Sequence, residues 1–142
     1  MRYKMYYTAK LTKEKDGGYS VSFPDLDGCF TQGDTLEEAL AMANEAMELT
    51  LEDVFDGDPL PECKTKANEK KGLYRIDVDP ELAIALQVAA ARGKVPQATV
   101  AREMGMTKQA YQRLEDPKAN LSVKMLKRIA ESMGKRLEVQ FV

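Results

Sequence analysis

The sequence predicts an α+β protein of two modules. Residues 1–79 read as a β-β-β-α-β sheet-and-helix module, and residues 80–142 as an all-α module with a terminal strand. Three observations predict it. Apolar residues alternate with polar ones near residues 7, 21 and 76, the period of strands with one buried face. From residue 36, and again after residue 79, apolar residues recur every three or four positions, the period of amphipathic helices. The charge is also divided. Residues 1–60 hold five basic and thirteen acidic residues, a balance of −8, and the remainder holds sixteen basic and ten acidic, +6. That asymmetry fits a basic partner for the first half and a polyanion for the second, although acidic helices and basic tails also occur without such partners.

The bulk composition bounds the rest. A chain of 142 residues suits one ordinary domain or two small ones. Its 44% hydrophobic and 31% charged residues are ordinary for a soluble globular protein. No apolar run approaches the roughly 18 residues of a membrane span. Met1-Arg2-Tyr3-Lys4-Met5-Tyr6 goes straight into alternation, with no apolar secretory core, so the cytoplasm is the expected compartment. There is no histidine, which argues against Ser-His and Cys-His nucleophile pairs. Cys29 and Cys63 are too few for a structural zinc site, and no metal or cofactor is expected. A disulfide between them stays open, with reduced thiols expected in a cytosol.

In the first module Tyr3, Met5, Tyr7, Ala9 and Leu11 make one apolar row of a strand. Asp16-Gly17-Gly18 supplies a turn tolerant of positive φ, and Tyr19, Val21 and Phe23 complete a hairpin. Pro24 cannot donate to a ladder and closes that strand. After the turn Asp25-Leu26-Asp27-Gly28 comes a short strand, Cys29-Phe30-Thr31-Gln32. Thr35-Leu36-Glu37-Glu38 matches a capping box, and Leu36, Ala39, Leu40, Ala43, Met47, Leu51 and Val54 then form a single helical stripe. Asp56-Gly57-Asp58-Pro59 stops the helix, residues 57–71 read as a loop, and Tyr74, Ile76 and Val78 alternate in a fourth strand.

The run Tyr19-Ser20-Val21-Ser22-Phe23-Pro24-Asp25-Leu26-Asp27-Gly28-Cys29, followed by Thr31, Gly33, Asp34-Thr35 and Glu38-Ala39, resembles the signature of HicB antitoxins. The family usually has proline where this chain has Asp27, a departure that affects turn stiffness. The resemblance implies a degenerate RNase H-like fold that binds and blocks a small, basic RNase toxin, HicA. An acidic partner face suits such a toxin. An alternative reads Asp25, Asp27, Glu38 and Asp53 as Mg²⁺ ligands of a nuclease. Against it, a turn and a helix cap already account for Asp25, Asp27 and Glu38. The first two strands place no acid inward, so no enzymatic activity is expected.

Asp79-Pro80 opens the second module as N-cap and first helical residue, Leu82, Leu86, Ala89 and Ala90 form a stripe, and Gly93 ends it. In Gln97 through Leu114, Ala101 is small where two helices would cross closely. Gly105, four residues later, can turn with positive φ. Val100, Met104, Met106, Tyr111 and Leu114 stand where the angle between the helices must be filled, and Thr107 can cap the second helix. This stretch resembles the Cro/CI-type helix-turn-helix over its whole length. It departs at Tyr111, where the family has Val or Ile, so a tilted second helix or a hydroxyl at the surface is expected. A further helix from Ser122 carries Val123, Leu126, Ile129, Ala130 and Met133 to Gly134.

The DNA-binding candidates are Gln97, Thr107, Lys108, Gln109, Gln112 and Arg113. Lys108, Gln109 and Gln112 would face bases in the major groove, where Gln pairs with adenine and Lys with guanine. Gln97 and Arg113 are placed for phosphates, and Thr107 starts the groove-entering helix. Leu137, Val139 and Phe141 alternate as a last strand that needs a partner, in the first module or in a second subunit. A homodimer or higher homo-oligomer is expected, because such motifs read two half-sites. Two functions follow from these readings. One is a type II antitoxin that neutralises a HicA-type toxin and represses its own operon by binding double-stranded operator DNA. The other is a stand-alone regulator whose first module senses a small molecule.

Overall fold

The computed structural model describes residues 5–141; Tyr3 of the first apolar row and Val142 lie outside them. Four strands, β1 (Tyr6–Lys13), β2 (Tyr19–Ser22), β3 (Phe30–Gly33) and β4 (Leu73–Asp77), form one antiparallel sheet in the order β3-β2-β1-β4. The hairpin between β1 and β2 turns on Gly17 and Gly18, at φ 89° and 77°. Its register sets Leu11 against Val21, and Tyr7 pairs with Ile76 of β4. Tyr7, Ala9, Leu11, Val21 and Ile76 are all buried, so the period-two rows do mark a core face.

Helix α1 (Leu36–Leu51) packs on the sheet through Ala39, Ala43, Met47 and Leu51. Its start is fixed by Thr35, whose Oγ1 accepts from the Glu38 N–H at 3.1 Å. The sequence reading carried this helix to Val54. In the structure it gives way after Leu51 to a 3₁₀ turn, Glu52–Asp56, although Val54 stays buried. The last turn of α1 holds no basic residue and Glu52 and Asp53 follow it, so acids meet the negative end of the helix dipole.

The loop that follows is tied to the sheet at several points. Asp25 Oδ2 accepts from the backbone N–H groups of Lys64 and Thr65 at 2.9 and 2.8 Å. Tyr7 Oη donates to the Pro61 carbonyl and Thr8 Oγ1 to the Thr65 carbonyl, both at 2.6 Å. Leu60 and Cys63 are buried, and both Cys29 and Cys63 are free thiols.

The chain divides into two compact units. One runs to Asp53 and resumes over Leu60–Pro80; the other combines Val54–Pro59 with the chain from Glu81 onward. Four helices build the second unit: α2 (Pro80–Arg92), α3 (Gln97–Glu103), α4 (Lys108–Leu114) and α5 (Val123–Ser132). Gly93, at φ 59°, ends α2, and Gly134, at φ 67°, ends α5. Val88, Val100, Ala101, Met104, Tyr111, Leu114 and Ile129 form one buried cluster, drawing on all four helices. The terminal strand expected from Leu137, Val139 and Phe141 is not formed within the single chain. Residues 135–141 belong to no ladder among the described residues, as expected of a lone strand with no partner.

Candidate nucleic-acid interface

Helices α3 and α4 are joined by four residues, Met104 to Thr107, and the hydrogen bonds at this junction close a Schellman turn. Met106 N–H reaches the Ala101 carbonyl at 2.9 Å and Gly105 N–H the Arg102 carbonyl at 3.1 Å, with Gly105 at φ 69°. Met106 then packs on the helical core, the apolar contact that accompanies such a turn. Ala101, 1% exposed, lets the helices cross closely. Thr107 caps α4, accepting from the Ala110 N–H at 3.1 Å. Together these make a helix-turn-helix, with α4 in the position of its second helix.

The same cap and packing divide α4 into two faces. Tyr111 and Leu114 point into the core, while Lys108, Gln109, Gln112 and Arg113 are exposed, as is Thr107 at the cap. Four of the predicted site residues therefore stand on the outer side of a seven-residue helix whose inner side is fixed. Gln97 is different. It is half-buried at the start of α3, and its Nε2 donates to Glu115 Oε1 at 3.1 Å.

That contact belongs to a buried polar network the sequence reading missed. Arg92, at the end of α2, pairs with Glu115, just beyond α4, through Nε–Oε2 at 2.7 Å and Nη2–Oε1 at 2.9 Å. Their side chains are 7% and 3% exposed. The remaining guanidinium hydrogens go to the carbonyls of Val95 at 2.9 Å, Gly93 at 3.3 Å and Phe55 at 3.1 Å. All five donors of Arg92 are thus satisfied, as a buried charge requires. The hydrogen bond to Glu115 raises the Arg92 pKa further, against the opposing effect of burial. The spacing of 23 residues between the partners is not a local motif, which is why periodicity did not reveal it.

Tyr111 corrects one expectation. Its hydroxyl is not at the surface: the residue is fully buried, and among the described residues Oη meets no hydrogen-bond partner of acceptable geometry. Burial, reinforced by the nearby Glu115 carboxylate, pushes its pKa well above the ordinary phenol range. The ring occupies the volume between helices that a smaller aliphatic residue would leave, so the side chain turns inward with its hydroxyl toward the Arg92–Glu115 pair.

In the first unit the Asp25 carboxylate is occupied by two backbone N–H groups. Among the described residues no group of three or more His, Cys, Asp or Glu side chains is arranged to hold a metal ion. No helix among them is long and apolar enough to cross a membrane.

A four-stranded antiparallel sheet under one helix, followed by a helix-turn-helix, defines a two-unit protein with a nucleic-acid-binding type of motif in its second unit. The family model for the HicB-like antitoxin of bacterial toxin-antitoxin systems matches residues 7–90, and a helix-turn-helix model matches residues 88–140. The chain belongs to the HicB-like antitoxin family. Antitoxin HicB 1 of Photorhabdus laumondii subsp. laumondii is 34% identical over 141 residues, covering 94% of this chain and 84% of the relative. Antitoxin HicB of Escherichia coli strain K12 is 27% identical over 138 residues, covering 97% of this chain and 100% of the relative. A chain of a solved HicA3 and HicB3 toxin-antitoxin complex aligns over all its length with 54% of this chain, at 29% identity and a TM-score of 0.43.

Proposed function

We propose that this chain is the antitoxin of a type II system. It binds and neutralises a HicA-type mRNA-cleaving toxin through its first unit and represses its own operon by binding operator DNA through its second. The observation that carries the reading is the capped, Schellman-turned helix-turn-helix with a polar row on the outer side of α4. In the major groove Lys108 and Gln109 face base edges, Gln112 follows them one turn on, and Arg113 and the Thr107 end of the helix meet phosphates. A phosphate contact by Gln97 requires its amide to leave Glu115. The protein acts in the cytoplasm, as a dimer on two half-sites.

The first unit is read as a degenerate RNase H-like fold that serves as a binding surface and not as an enzyme. From Asp16 to Cys63 the chain has thirteen acidic residues and no Lys or Arg. Glu37, Glu38, Glu45, Glu52 and Asp53 are exposed along and just beyond α1. A surface of one sign suits a basic, RNA-binding toxin, and it steers the encounter.

Two experiments test the two halves. A short reading frame for a small basic protein should lie beside the gene; co-expression with that protein should rescue growth from its toxicity, and a pull-down should recover both chains together. In a gel-shift assay, Lys108→Ala with Gln109→Ala should abolish the specific complex. Unchanged operator affinity in that variant would remove the assignment of α4.

A further inference from the structure

The sheet of the first unit has two outer strands, β4 and β3. At β4 the outer side is defended. Asn68 exchanges two backbone hydrogen bonds with Leu73, at 2.8 and 3.1 Å, and Arg75 and Asp77 stand exposed as an ion pair. Such cover and charge keep foreign strands away. β3 has neither. It consists of Phe30, Thr31, Gln32 and Gly33, with no charge and no proline, and its ladder with β2 runs through all four residues without a bulge. Alternate residues of an edge strand turn their N–H and C=O outward. Among the described residues no backbone hydrogen bond reaches β3 from that side.

Phe30 stands on this edge, 73% exposed. Side chains alternate along a strand, and Gly33 presses against Ala39 of α1, so Thr31 and Gly33 face the helix while Phe30 and Gln32 face the other way. On that face the residue directly opposite Phe30 is Ser22, and beyond it Lys10. The ladder offers the ring no apolar partner. A strand added outside β3 supplies one, because directly opposed side chains pack. Charge selects the occupant. Asp27 and Asp34 stand exposed before and after β3, Glu37 and Glu38 follow, and no Lys or Arg occurs from Asp16 to Cys63. A second copy of this edge would set acid beside acid.

We propose that β3 is a docking edge, to which an extended segment of the toxin adds as a fifth strand, with an apolar residue opposite Phe30 and Lys or Arg toward Asp27 and Asp34. This rests on the antitoxin reading and names the place where the toxin binds. Backbone hydrogen bonds hold such a strand and side chains select it.

The test uses the full-length chain and the small basic protein recovered with it. In the free chain the β3 amides that face β2 exchange slowly with solvent and the outward ones fast. In the complex the outward ones should slow as well, read by NMR. Phe30→Ala should weaken the complex about tenfold or more. Asp27→Lys with Asp34→Lys should slow association about tenfold or more at low salt. Leu49→Ala, at a residue 66% exposed on α1, should bind as the wild type does. Circular dichroism checks that each variant is folded. Docking at β3 is overturned if the outward amides exchange as fast in the complex as in the free chain, or if Leu49→Ala weakens binding and Phe30→Ala does not. In both cases the toxin still binds and the antitoxin reading stands. A wild type that recovers no such protein overturns both. Protection of the same amides in the free chain as its concentration rises gives the edge to a second copy and overturns the toxin strand.

Discussion

At Glu115 the polar and apolar halves of the helix-turn-helix meet, and two substitutions there pull in opposite directions. Glu115→Ala leaves the Arg92 guanidinium buried without its carboxylate and Gln97 without its acceptor. Removing one partner of a buried ion pair costs about 3–5 kcal/mol, and urea unfolding should show a loss of that order. Tyr111→Phe removes a hydroxyl that is buried and meets no partner of acceptable geometry, so it should raise stability by about 1 kcal/mol at neutral pH. The two also separate in their pH dependence. The folded pKa of Tyr111 lies above its unfolded value of about 10. The wild type therefore keeps the full contribution of the protonated hydroxyl below that pH and loses it as the pH rises, because the unfolded chain gives up the proton first. The Phe variant lacks this term. Its advantage over the wild type should widen above about pH 10, by up to about 1.4 kcal/mol per pH unit. A constant difference across that range would show that the hydroxyl is not held protonated by the fold.

Two glycines show how differently elements depend on a missing side chain. Gly105 closes the turn between α3 and α4 at φ 69°, and a Cβ there would meet nothing within 4 Å. Gly105→Ala should therefore cost only the left-handed backbone strain, about 1–2 kcal/mol. Gly33 has no unusual φ, but a Cβ there would lie 2.4 Å from the Ala39 nitrogen and 2.6 Å from its Cα. Those are backbone atoms in the first turn of a capped helix and cannot swing aside. Gly33→Ala should cost about 3 kcal/mol or more, the upper part of the range for overpacking. Thermal unfolding of the two variants should rank Gly33→Ala below Gly105→Ala. Much of this level was legible beforehand. Thr35 and Thr107 announced two helix starts, Gly105 announced the turn, and period-two rows located the strands. The reason for Gly33 was not legible, since it lies in a contact between β3 and α1 that spacing alone does not describe. Neither was the Arg92–Glu115 pair, which joins positions 23 residues apart. Local patterns read local conformations, and buried polar pairs depend on which distant segments meet.

At the scale of the whole molecule, the division of charge makes operator binding a test of each side chain on α4. An acidic first unit and a basic second one face the same ionic strength, so the basic unit's attraction to phosphate must be local and screened by salt. Each phosphate neutralised by a cation contributes about −0.9 to the slope of log affinity against log salt. On the proposed operator reading Arg113 meets phosphate, so Arg113→Ala should flatten that slope by about 1 and weaken specific and non-specific DNA alike. Gln109 and Gln112 carry no charge and, on the same reading, face bases. Their alanine variants should leave the slope unchanged and lower affinity for operator alone, by about 1–3 kcal/mol each. Lys108 separates the two mechanisms. As a base contact to guanine it should lose specificity, with non-specific binding little changed; as a phosphate contact it should behave like Arg113. Titrating the four variants against operator and scrambled duplex at several salt concentrations resolves them. Slopes and specificity ratios unchanged in all four variants would mean that α4 does not enter the groove.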